Sequence, residues 1–243
     1  MCFEQKKKCW YAGLSIIFLL ITFSTYQIFV VYFVFGTVAV LLLRTLKDVQ
    51  QEHVTVKLIL LRIAPFAVVF FVAFLLYTLI NGFLSPESAY LNNQIAWGKV
   101  SFGECIFSVF KHILKAFSGY HSVFYSMGFG LLAIICFLLI LRYLNKISGL
   151  KKNIYVFVIL LYIALLFTPF MMTMVLGGEP AYRSQLVLPA VTGFCGYLIG
   201  KLVNWDVAIK KSKIIFVCSM IFCLVTSLEQ MKVSAGLYYT DKS

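Results

Sequence analysis

Apolar positions in this sequence come in long uninterrupted runs, and the polar positions gather between them. The longest charge-free run extends from Cys9 to Leu43. Counted from Trp10 it is 34 residues, about 51 Å as a single helix against a hydrocarbon core of about 30 Å. One strongly tilted helix or two short ones fit that length. Ser24-Thr25-Tyr26-Gln27 is the most polar patch inside it and the natural turn. Further runs read as spans at Ile63–Ile80, Val123–Leu141, Ile154–Met174, Ser184–Gly200 and Ile214–Leu228. The short alternating stretches of a β-barrel do not occur. With the first run taken as two helices, the pattern predicts an all-α, polytopic transmembrane bundle of about seven spans. It forms one integral membrane domain over 1–243, with no linker to divide it.

Composition excludes a soluble domain. Apolar residues make up 62% of the chain, charged residues 12%, and the mean hydropathy is +0.95. A soluble domain carries about a quarter of its residues as Asp, Glu, Lys and Arg. In lipid, each backbone N–H and C=O must be satisfied within its own segment, so apolar helices are the solution. The length of the first apolar run and the lack of a small-residue cleavage site after it weigh against a cleaved signal peptide.

The net charge of +12 suggests nucleic acid at first sight, but its distribution points to the bilayer. The basic residues cluster at the ends of apolar runs: Lys6–Lys8; Arg44, Lys47, Lys57 and Arg62; Arg142, Lys146, Lys151 and Lys152; Lys201, Lys210, Lys211 and Lys213. Cytoplasmic loops collect Lys and Arg. With Trp10–Leu43 as two helices, all four clusters fall on one side and account for 15 of the 21 basic residues. That orientation puts the N-terminus in the cytoplasm. No nucleic-acid partner, metal or other cofactor is expected. The three histidines are scattered, and Cys105 is the only one of seven cysteines on the oxidising side.

Two outer segments carry the candidate chemistry. In the first, Ser101 stands three residues before Glu104, a capping-box spacing, and Gly119 closes the helix between them. Phe102, Ile106, Val109, Phe110, Ile113 and Phe117 share one side of this helix, with Glu104, Ser108, Lys111 and Lys115 on the other. Two placements fit: an interfacial helix on the outer membrane face, or one packed against its neighbours. The second segment is Gly177-Gly178-Glu179-Pro180-Ala181-Tyr182-Arg183-Ser184, where a carboxylate precedes a guanidinium by four residues. Arginine offers a rigid fork of donors suited to phosphate. A Glu179–Arg183 ion pair that only fixes the loop accounts for the spacing equally.

At these residues the sequence resembles a known family. Tyr26-Gln27 between two helices, and Thr168-Pro169-Phe170 ahead of Gly177–Arg183 and Pro189, resemble the type II glucosyltransferases, membrane proteins that modify bacterial O-antigen. The likeness extends over about Leu14 to Val203. It implies a membrane glycosyltransferase of the bacterial cytoplasmic membrane, moving glucose from a polyprenyl-phosphate carrier to a surface polysaccharide at the outer face. On the resemblance, Arg183, Tyr182, Glu179, Tyr26 and Gln27 bind the carrier-linked sugar, and no catalytic residue is assigned.

Family members carry an acidic loop after their first span. Here no acid occurs between Glu4 and Asp48. The expectation is therefore a chain corresponding to the later portion of such an enzyme, inactive alone and working with a separate N-terminal fragment or a partner membrane glycosyltransferase. A flippase for lipid-linked sugars or polysaccharide, and a non-catalytic membrane scaffold, are the alternatives. Charges sit at the ends of the spans and not at mid-membrane, which weighs against the transporter.

Overall fold

The structure, a computed structural model, describes residues 2–25, 28–49, 55–84, 95–119, 127–181 and 185–205, together with eight single residues between 214 and 228. Among the described residues the secondary structure is helical apart from one isolated bridge, Trp97 with Val100. Helix α1 is Cys2–Thr25, α2 Ile28–Val49, α3 Val56–Leu84, α4 Phe102–Ser118, α5 Met127–Asn145 and α6 Lys152–Phe167. A 3-10 turn at Thr168–Phe170 leads into the short α7, Met171–Leu176, and α8 is Val187–Trp205.

Among the described residues four stretches are long and apolar enough to cross a membrane: Phe29–Val49, Val56–Phe83, Gly128–Asn145 and Lys152–Leu176. Trp10–Ser24 and Val187–Val203 are apolar but shorter. Of the expected last span, Ile214–Leu228, the eight described residues are helical and exposed, and the rest lie outside the described residues. The same holds for the expected turn at Tyr26-Gln27. Phe23 of α1 and Phe33 of α2 both pack on Phe70 of α3, at ring distances of 5.8 and 6.1 Å. Two helices that fold back on each other bring these residues to one ring.

The helices run past the apolar boundaries because their polar residues find partners. Hydroxyls bond back to carbonyls four residues earlier, Ser15 to Tyr11, Thr22 to Phe18 and Thr45 to Leu41, so a span tolerates them without an orphan group. Arg62 lies inside α3, where its guanidinium donates to Asp48 of α2. This pair carries α3 through residues that hydropathy alone counts as loop.

Packing divides into two apolar clusters. The smaller joins α1, α2 and α3 around Leu19, Phe23 and Ala73. The larger is built on α2, α5, α6 and α8, with Leu42, Leu46, Leu132, Ile140, Val191 and Leu198 among its fully buried members. Tyr162 crosses it, its hydroxyl donating to Ala133 O at 2.7 Å. Around this core, large apolar side chains such as Phe71, Leu75, Leu79, Ile134 and Leu160 are exposed. A surface of that kind suits lipid and not water.

Pro169 breaks the fourth long stretch. It lacks the N–H for a ladder bond, and the chain tightens there into a 3-10 turn with the proline in its first positions, whereas α3 carries Pro65 in its interior. Phe170, placed by that turn, is buried and gathers Phe117 of α4 and Phe129 of α5 at ring distances of 6.1 and 6.4 Å. The break therefore seats α4 against the bundle.

Candidate functional site

The site forms where α4 meets the end of α7. Helix α4 begins as its sequence predicts. Ser101 Oγ accepts from Glu104 N–H, Glu104 Oε2 accepts from Ser101 N–H, and Gly119 ends the helix at φ 70°. Its faces differ in part from expectation. Phe102, Ile106 and Phe110 point outward together with Phe107 and Leu114. Ile113 and Phe117 instead pack on the main core, and Val109 is half-buried. The expected apolar side thus divides between an exposed row and a core-facing row. A third row, with Ser108, His112 and Lys115, turns toward the segment after α7.

That segment is held from two directions. Helix α7 ends at Gly177, whose φ of 71° is left-handed and whose N–H donates to Thr173 O. The carbonyls left open by the helix end are taken by the strip before α4. Trp97 Nε1–H donates to Met174 O at 2.8 Å, and Ala96 N–H donates to Leu176 O at 2.7 Å. The indole lies flat on Gly177, where a Cβ would come within 2.9 Å of the ring. On the other side, Tyr32 of α2 donates its hydroxyl to Leu186 O at 2.7 Å. The loop carrying Glu179 is therefore fixed at both ends.

Within this frame Glu179 Oε2 accepts from Lys115 Nζ at 2.9 Å. Both side chains are about one-third exposed. Beneath them lies a buried polar trio from three separate elements, His112, Thr173 and Gln185. His112 Nδ1 stands 2.8 Å from Thr173 Oγ1, and His112 Nε2 stands 3.1 Å from Gln185 Nε2. Phe170 meets the imidazole edge-on at 5.8 Å. Burial pushes the His112 pKa below the ordinary histidine value. The Glu179 carboxylate opposes that shift and the Lys115 ammonium adds to it. His112 is therefore neutral at pH 7.

The hydrogen bonds assign its tautomer. Gln185 Nε2 can only donate, and it also reaches Pro180 O at 3.5 Å, so His112 Nε2 must be the acceptor. The proton then sits on Nδ1 and goes to Thr173 Oγ1. Among the described residues Gln185 Oε1 is left buried with no hydrogen-bond partner.

Of the residues singled out from sequence, Glu179 is in this site, with Lys115 as the partner seen. Tyr26, Gln27, Tyr182 and Arg183 lie outside the described residues, and with them the expected Glu179–Arg183 pair. Sequence reasoning missed Lys115 as that partner and missed His112, Thr173 and Gln185 altogether. Among the described residues no group of three His, Cys, Asp or Glu side chains is placed to hold a metal ion. Chemically the site offers one carboxylate, one ammonium and a neutral, fully oriented amide–imidazole–hydroxyl chain.

The family model for the glucosyl transferase GtrII matches residues 3–200. No curated protein and no solved structure matches the chain.

Proposed function

The chain belongs to the glucosyl transferase GtrII family, and from that premise we propose that it takes part in moving glucose from a polyprenyl-phosphate carrier to a surface polysaccharide, as the transferase or as its carrier-binding part. On this reading it lies in a bacterial cytoplasmic membrane with seven spans and a cytoplasmic N-terminus, and α4 rests in the outer interface. The Lys115–Glu179 pair carries the reading. It sets a carboxylate of the loop after α7 beside a cation on α4, a helix whose other face is apolar and exposed. The apolar row meets acyl and polyprenyl chains, and the cation meets the phosphate at the membrane surface.

The chemistry assigns roles to these groups. Glu179 accepts the proton of the attacking acceptor hydroxyl, whose oxygen forms the new bond to the sugar C1. The bond from C1 to the phosphate oxygen breaks, and the electron pair leaves with the polyprenyl phosphate. Lys115 and Arg183 stabilise the charge that develops there. On the seven-span topology Tyr182 and Tyr26-Gln27 fall at the same outer membrane level. An outer acceptor and the family's transferase identity favour this over a flippase.

Carrier binding tests the reading, because a transferase and its carrier-binding part both require it. Native mass spectrometry of the detergent-purified chain with polyprenyl-phosphate-glucose should show a stoichiometric complex. Arg183→Lys keeps the charge but loses the bidentate fork, whose charge-assisted bonds are worth roughly 1.5–3 kcal/mol. Affinity should fall about ten- to hundredfold while thermal stability barely moves. Lys115→Met should weaken binding as well, with less than about 1 kcal/mol of stability lost, since an ion pair about one-third exposed contributes little to folding. An unmodified chain that binds no carrier refutes the proposal.

A further inference from the structure

Gln185 is 2% exposed, and among the described residues its Oε1 has no hydrogen-bond partner. Leaving a buried acceptor unpaired opposes folding, and native proteins do so rarely without a ligand or water to complete it. Turning the amide over does not remove the problem. The oxygen would then face Pro180 O, a second acceptor, and the amide nitrogen would become the orphan. The present orientation is the one in which both Gln185 N–H bonds have acceptors, His112 Nε2 and Pro180 O.

The surroundings hold that orientation. Thr173 takes the Nδ1 proton of His112, so the imidazole presents a lone pair to the amide. Phe170 packs edge-on against the ring. Tyr32 ties down the next residue's carbonyl, and Val187 is buried in the core. An amide fixed by four elements, with its buried acceptor end alone unpaired among the described residues, selects for a donor. The nearest reactive groups, Glu179 and Lys115, belong to the same cluster through His112.

We propose that Gln185 Oε1 accepts a hydrogen bond from one ring hydroxyl of the carried hexose, so that His112 and Thr173 act as positioning residues for sugar recognition. The proposal rests on the carrier-dependent function above and adds the part of the site that reads the sugar. A neutral hydroxyl donor satisfies the orphan acceptor without bringing charge into a buried place. A site built to bond a hydroxyl also rejects the analogue lacking it, because the acceptor is then left unpaired.

The test uses the purified full chain and a set of carriers of equal charge: polyprenyl-phosphate-glucose and its 2-, 3-, 4- and 6-deoxy counterparts, compared by native mass spectrometry. One deoxy carrier should bind about tenfold more weakly than glucose, the loss of one neutral hydrogen bond. That penalty should vanish in Gln185→Leu, which binds the glucose and deoxy carriers alike. Gln185→Met, closer in length, serves the same comparison if the leucine variant does not fold. Equal binding of all five carriers by the unmodified chain overturns the proposal, and so does a deoxy penalty that persists without the Gln185 amide. If no carrier binds at all, the proposed function fails and this inference fails with it. A water in place of the sugar hydroxyl gives the equal-binding result.

Discussion

Replacing Gly177 by alanine perturbs the joint that holds the candidate site, and two independent penalties act there. The backbone at Gly177 has φ 71°, a left-handed conformation that disfavours a Cβ by roughly 1–2 kcal/mol. The new methyl would also stand 2.9 Å from Cε2 and Nε1 of Trp97. The indole is not free to retreat, because its Nε1–H donates to Met174 O at 2.8 Å. Displacing it forfeits that bond, a further contribution of about 1 kcal/mol. The expected destabilisation is therefore about 2–3 kcal/mol. For a domain of this size each kcal/mol shifts the unfolding midpoint by about 2–4 °C, so a thermal scan in detergent should show a drop of about 4–12 °C. Gly178→Ala is the matched control, since a Cβ there meets only Ser108 Oγ at an ordinary 3.7 Å. A double-mutant cycle with Trp97→Ala separates the two terms. In the Trp97→Ala background, Gly177→Ala should keep only the conformational penalty. A Gly177→Ala midpoint equal to that of Gly178→Ala would refute both the backbone and the packing argument.

Two further outcomes follow from the same geometry. In Gly130→Ala the new Cβ would fall 2.4 Å from Phe117 O, a backbone atom that cannot swing aside. The variant should lose about 1–3 kcal/mol as α4 and α5 are forced apart, while Gly193→Ala, with open space at its Cβ, should not lower the midpoint in the same scan. The second concerns pH. The His112 pKa lies below its unfolded value, so its neutral form stabilises the fold above about pH 6.5, and that contribution fades as pH falls toward the folded pKa. Between pH 7.5 and 5.5 the midpoint of the unmodified chain should fall more than that of His112→Gln; parallel pH curves would contradict the buried-imidazole assignment.

What the sequence revealed and what it hid follow from the range of the forces involved. Apolar runs and capping residues act locally, so the helical class was legible, as were the Ser101–Glu104 box and the Gly119 stop of α4. Span boundaries were read too short because hydropathy scores Lys57 and Arg62 as loop. Helix α3 carries both, and Asp48 on the preceding helix pairs with Arg62. The seat that Pro169 and Phe170 make for His112 was not legible in the span Ile154–Met174. His112 meets Thr173 and Gln185 across 61 and 73 residues, and Lys115 meets Glu179 across 64. No spacing rule reaches that far. The one available signal was polarity out of place, a threonine and a glutamine at the edges of apolar runs.

The central claim is that this chain is needed to move glucose from its lipid carrier to a surface polysaccharide. The most direct measurement follows radiolabelled glucose from polyprenyl-phosphate-glucose into polysaccharide, using membranes from bacterial cells with and without the gene, so that any partner subunit remains present. The account predicts that deletion abolishes incorporation, that the unmodified gene restores it, and that Glu179→Gln restores the protein but not the incorporation. Unchanged incorporation in the deletion membranes contradicts it.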